Sequence, residues 1–201
     1  MKNLILSILT IGVCTVVMAQ DFNASISGAK SAYTSGNLED ARFNLENALR
    51  EVDIAIGKEV LKVMPTMLGT LAYNVKEDNV TGMSASFAGL YVHRTYGTTP
   101  EKRATIDIVS DSPIMAGINA ILSMPMVMNT GDGSQKVIKV QGYKTLLTKQ
   151  SDENSQTTGY DVQTPFGSSM LTLHYDGNIS ESEIVKLANT IPLEKIISIA
   201  Q

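Results

Sequence analysis

Residues 103–125, RATIDIVSDSPIMAGINAILSMP, constrain the fold more than any other part of this chain. Ala104, Ile106 and Ile108 alternate with Thr105, Asp107 and Val109, the period of a strand with one buried face. At Ser110-Asp111-Ser112-Pro113 the period lengthens to that of a helix. Asp111 or Ser112 is placed to cap it, and Pro113 takes the favoured first position. Ile114, Ile118 and Ile121, with Met115 and Leu122, give that helix a broad apolar face before Pro125 ends it. A core strand feeding a core helix requires a sheet for the helix to cover.

The flanking segments supply that sheet. Residues 71–75 read as a short strand, and 83–96 as a longer one with Leu90, Val92 and Tyr96 on one side and Tyr91 and His93 on the other. Short links make these and the strand at 103 an antiparallel meander. Beyond the loop Asn129-Thr130-Gly131-Asp132-Gly133-Ser134, residues 136–149 form two strands or one bulged strand around Gly142. Residues 160–164 and 169–175 then pair as a hairpin across Pro165-Phe166-Gly167. Ser180-Glu181-Ser182-Glu183 is a capping box for a last helix with Ile184, Leu187, Ala188 and Ile191 inward.

Ahead of the sheet lie two helical segments. Phe22, Ile26, Ala29 and Tyr33 recur at helical spacing until Ser35-Gly36-Asn37 breaks the run. Asn37 caps a second helix, with Glu39 and Asp40 in its first turn, where the helix dipole favours negative charge. Its stripe of Leu38, Ala41, Leu45, Ala48, Val52, Ile56, Val60 and Val63 runs almost to Pro65, and Gly57 is a place for it to loosen or kink. The fold class is therefore α+β: an N-terminal helical hairpin (21–65), then a mainly antiparallel sheet domain (68–201) covered by helices 113–124 and 181–191.

The hairpin resembles one tetratricopeptide unit through Ala29, Gly36, Ala41, Leu45, Ala48 and Leu49, which let two helices approach closely. The resemblance implies a helical protein-contact element, present once and so without the stacked neighbours of a solenoid. The layout of the sheet domain resembles the PsbP-like class of exported α/β/α sandwiches. That resemblance implies an extracytoplasmic accessory or binding protein with no shared catalytic residue.

Residues 1–19 read as a signal peptide: Lys2, an apolar run over 4–17, and Val17-Met18-Ala19 as a cleavage site. The run is shorter than the roughly 20 apolar residues of a membrane span and contains Ser7, Thr10 and Thr15. Val13 before Cys14 is too bulky for a lipoprotein box. The expected product is exported, periplasmic or extracellular, with no stable membrane anchor after cleavage near Ala19. Cys14 is the only cysteine, so the mature chain has neither disulfide nor thiolate chemistry. Loss of Lys2 takes the formal charge from −4 to −5, which disfavours nucleic acid as a partner.

The sequence presents no catalytic, cofactor-binding or metal-ligating set. His93 and His174 lie within strands without H-x-x-x-H or H-x-H spacing, so a metal-assisted hydrolase built on them needs Asp107 or Asp161 from neighbouring strands. A histidine among tyrosines on a half-exposed sheet face is more simply a cross-strand packing residue. Ser110-Asp111-Ser112-Pro113 and Gly167-Ser168-Ser169 lack the G-x-S-x-G elbow, and Gly131-Asp132-Gly133 lacks the remainder of a phosphate loop. Met115, Met124, Met126 and Met128 could offer soft thioethers to copper, but they suit core filling or a pliable contact patch better. The leading expectation is a non-catalytic exported module that binds a protein partner or itself through the hairpin, with Leu45, Val52, Met124, Met126 and Met128 as the candidate surface. A carrier of a small apolar ligand is the alternative from another class.

Overall fold

The computed structural model describes residues 13–82, 89–99, 102–123, 134–151 and 158–201. It is an α+β fold in which two N-terminal helices precede a large antiparallel sheet and further helices. Helix α1 (Val13–Thr34) begins earlier than the sequence pattern suggests. At Gly36, with φ 79°, the chain turns into α2 (Leu38–Val63). Asn37 caps α2 by accepting from the Asp40 amide at 3.2 Å, as the sequence predicts. A Cβ on Gly28 would lie 2.6 Å from Asn44 Oδ1, so the two helices close on each other where α1 has no side chain.

Helix α2 is a single helix through Gly57, with no break there. A Cβ at that position would stand 2.4 Å from Val80 Cγ1 and 3.0 Å from Leu90 Cδ1. Gly57 is thus the contact point that lets the C-terminal half of α2 lie against the sheet. Val60 and Met64 beyond it are buried with Leu68, Val92 and Tyr96. Each such side chain removed from water contributes about 1.5–3 kcal/mol.

Two two-residue strands, β1 (Met67–Leu68) and β2 (Leu71–Ala72), form a small sheet of their own. The strand expected over 71–75 stops at Ala72, because Asn74 instead caps a 3₁₀ turn, Val75–Glu77. The main sheet contains β3 (Asn79–Thr81), β4 (Tyr91–Thr99), β5 (Lys102–Ser110), β6 (Gln135–Val140), β7 (Tyr143–Ser151), β8 (Thr158–Phe166) and β9 (Ser169–Asp176). Their spatial order is β3-β4-β5-β9-β8-β7-β6, with every neighbour antiparallel. One meander runs inward from the β3 edge. After helix α3 (Ile114–Ser123) the chain restarts at the β6 edge and runs inward until β9 meets β5. The β6–β7 link is tight, with φ positive at both Gln141 (48°) and Gly142 (89°), the hairpin turn that matches strand twist.

One sheet face carries Val92, Ile106, Ile108, Leu147, Val162, Leu171 and Leu173, all buried. The C-terminal half of α2, α4 (Glu181–Ala188) and α5 (Leu193–Ala200) cover this core. The single last helix expected over 181–191 is in fact two. The capping box at Ser180 starts α4 as predicted, but Asn189-Thr190 ends it and Pro192 opens α5, whose Leu193, Ile196 and Ile197 are buried. On the opposite face α3 covers only part of the sheet, setting Met115, Ile118 and Leu122 against Leu146 and Met170. Ile114, expected inward, is exposed at the start of α3.

Candidate functional site

The sheet face that α3 leaves bare carries the side chains most suggestive of chemistry. Register places His93 opposite Asp107 and puts His174 between Thr105 and Asp161. Asp107 collects three donors: the Tyr91 hydroxyl at 2.8 Å, His93 Nδ1 at 2.7 Å and the Thr105 hydroxyl at 3.1 Å. Tyr91 also stacks on His93, with ring centroids 6.3 Å apart. Burial, reinforced by the Asp107 carboxylate, pushes the Tyr91 phenol well above its ordinary value, so it remains a donor. With Nδ1–H given to Asp107, Nε2 of His93 faces the Thr95 hydroxyl at 3.1 Å. This carboxylate, imidazole, hydroxyl order is that of a nucleophile relay, yet Thr95 is 0% exposed and no substrate can reach it.

His174 is held differently. Its Nδ1 meets Asp161 and its Nε2 meets Asp176 at 2.9 Å, so both ring nitrogens face carboxylates, which only accept. The hydrogen bond to Asp161 outweighs burial, and the charges of Asp161 and Asp176 add to it. The imidazole pKa is pushed up to about 9, and at neutral pH the ring is a cation clamped between two strands. A doubly protonated ring is neither a metal ligand nor a general base. His93 and His174 stand on β4 and β9 with β5 between them, and each keeps its own carboxylate. Among the described residues no group of three or more histidine, cysteine and acidic side chains is disposed to hold a metal ion. This face binds the sheet together through cross-strand hydrogen bonds.

The other candidate surface lies on α2. Ala41 and Ala48 are buried in the close contact with α1, while the neighbouring face of the same helical half stays open to solvent. Leu38 is 63% exposed, Leu45 50%, Leu49 53% and Val52 41%. Successive steps of seven, four and three residues place these four along one line, an apolar ridge about four turns long before the sheet begins to cover the helix. Scattered exposed leucines need no explanation, but four in register on one helix form a contiguous strip. Leu45 and Val52, singled out in the sequence, both belong to it. Met124, Met126 and Met128 lie outside the described residues.

At its lower end the ridge runs into a recess of about 240 Å³ where α2 passes the ends of β4 and β5 and the β8–β9 turn. Leu49, Ile56 and Leu90 give it an apolar wall, and Asp53, Asp111, three serines (Ser110, Ser168 and Ser169) and Gln201 supply its polar lining. Ser110 and Ser169 are hydrogen-bonded to each other at 2.8 Å. The pattern that marks the ridge was legible in the sequence; the recess was not, because its walls come from five separate stretches of chain. Among the described residues no helix is long and apolar enough to cross a membrane. Comparison with protein families, with curated proteins and with solved structures finds no match to this chain.

Proposed function

We propose that this chain is a non-catalytic, exported binding protein of the cell envelope that holds a protein partner along the N-terminal half of α2. The observation that carries this reading is the ridge Leu38, Leu45, Leu49 and Val52, an apolar strip on a helix whose adjacent faces are already committed to α1 and to the sheet. An amphipathic helix presents such a strip at low cost to a partner that lays its own apolar residues across it. The resemblance of the hairpin to a tetratricopeptide unit agrees with a contact role, and the signal-like residues 1–19 agree with export. The histidine face gives no comparable support to a hydrolase, since its ring nitrogens are engaged and the hydroxyl beside His93 is buried.

The test is Leu45→Ala with Val52→Ala, both at exposed positions whose truncation leaves the core intact. Loss of these side chains should weaken the association by roughly ten- to hundredfold, the equivalent of about 1–3 kcal/mol of apolar contact. Retention of envelope proteins on the immobilised variant, with light scattering to separate a foreign partner from self-association, reads the effect. Unchanged retention together with unchanged size rejects the ridge. Export is checked separately by N-terminal sequencing of the fractionated protein, where a start near Gln20 is expected.

A further inference from the structure

The ridge is symmetric along its helix. Leu38 and Val52 stand seven residues either side of Leu45, and Ala41 and Leu49 stand four either side. Seven residues are about two turns and four about one, so an antiparallel helix with the same spacing brings Leu45 onto Leu45, Leu38 beside Val52 and Leu49 level with the small Ala41. A second copy of α2 carries that spacing by construction. Charge follows the same symmetry. Arg42 and Glu46 sit on one shoulder of the ridge, paired at 2.8 Å, and the arginine side chain is 83% exposed. In the antiparallel pairing positions 42 and 48 come level with the same shoulders together, which brings each Arg42 within about a turn of Glu46 on the other copy. Two arginines and two glutamates then alternate across the seam. Glu39, Asp40, Arg50 and Glu51 lie about 100° or more around the helix from the ridge and stay out of it, and Asp53 comes level with the neutral Asn37.

We propose that the partner on the ridge is a second copy of this chain, with α2 laid antiparallel on α2 about a two-fold axis at Leu45. The inference rests on the ridge being the docking face and adds the identity of the partner. Such an interface is isologous: each copy offers the same strip and receives it. A foreign helix needs no palindrome, whereas a two-fold pair needs both the apolar spacing and the charges to read the same from either end. Two strips of four half-exposed side chains with their charged shoulders bury on the order of 1,000 Å² in total, the low end for specific interfaces, so the dimer is a reversible one of about micromolar strength.

Sedimentation velocity on the full chain, from about 1 μM to about 1 mM, reads the pairing. Wild type should pass from monomer to dimer across that range. Arg42→Glu makes every charge at the seam negative and Glu46→Arg makes every one positive. Each variant alone should dimerise about tenfold more weakly or worse, while an equimolar mixture of the two should recover the wild-type strength as a heterodimer. Recovery in the mixture isolates the contact between copies, since neither variant keeps the pair within its own helix. Both side chains reach solvent, and unchanged far-UV circular dichroism checks the fold of each variant. A mixture no stronger than either variant alone overturns the antiparallel pairing, and so does a dimer that survives Leu45→Ala with Val52→Ala. Wild type that stays monomeric to the top of the range, yet retains a foreign envelope protein only while Leu45 and Val52 are intact, overturns self-pairing and leaves the ridge as a docking face. A monomer with no retention that depends on those side chains overturns both.

Discussion

Replacing His174 by glutamine tests whether its clamp stabilises the sheet as its geometry implies. The ring sits between Asp161 on β8 and Asp176 on β9, and its pKa is pushed from 6.5 to about 9. A group whose folded pKa is raised contributes stability that is fully present below the unfolded value and is lost as pH rises through the folded one. The contribution is therefore complete below pH 6.5 and gone above about pH 9. At about 1.4 kcal/mol for each tenfold in proton affinity, the ceiling is roughly 3 kcal/mol. The side chain is 35% exposed, so solvent screening discounts this to about 1 kcal/mol. Urea unfolding of wild type and His174→Gln at a pH below 6.5 and again above 9 isolates the effect, because glutamine keeps a hydrogen bond but cannot titrate. Wild type should lose about 1 kcal/mol more than the variant across that window. Parallel losses, or an imidazole resonance that titrates near 6.5, would refute the clamp.

Three further substitutions follow, two that probe how α2 is seated and one on α3 as their control. Gly57→Ala gains up to about 1 kcal/mol of helix propensity but drives a Cβ into Val80 and Leu90, so it should destabilise by about 1–3 kcal/mol. Gly117→Ala on α3, with nothing within 4 Å of the new Cβ, should stabilise by up to about 1 kcal/mol; denaturation midpoints moving in the same direction would sink the close-approach argument. Arg94→Met should cost about 3–5 kcal/mol, because it strips the buried Asp78 carboxylate of its two-pronged partner and leaves the Leu61 and Met64 carbonyls without a donor. A calorimetric loss under about 1 kcal/mol would show that these groups find other partners.

The parts of the fold legible in the sequence are those specified by neighbours along the chain. The Ser180 capping box, the Asn37 cap and the hairpin across Pro165-Phe166-Gly167 each follow from a few adjacent residues whose local geometry admits few alternatives. Two-residue strands such as β1 and β2 are too short for any period to show. Helix α5 escaped because Ile191 ended one apolar run just where Pro192 began another, although Leu193, Ile196 and Ile197 carry helical spacing. Gly57 suggested a kink, yet an unbroken helix uses the missing side chain for tertiary contact, which sequence spacing cannot reveal. Arg94 did leave a trace, since strand alternation puts it on the core side with Val92 and Tyr96. Its partners, Asp78 and the end of α2, lie at least sixteen residues away and are joined to it only by the fold. The ridge was half legible for the same reason: the stripe on α2 is plain, but which half of it the sheet covers is a tertiary fact.

Arg94 has a mechanical consequence. With its guanidinium on Asp78 and on the last carbonyls of α2, and with Tyr73 4.7 Å beneath it, this side chain anchors the foot of a helix about 39 Å long. The foot is fixed while the head carries Leu38 and Leu45 out beyond the sheet, so the helix is a cantilever. Weight hung on the tip of a cantilever is felt most strongly at its root, and here that root is the Arg94–Asp78 ion pair set beside the apolar seat of Val60 and Met64.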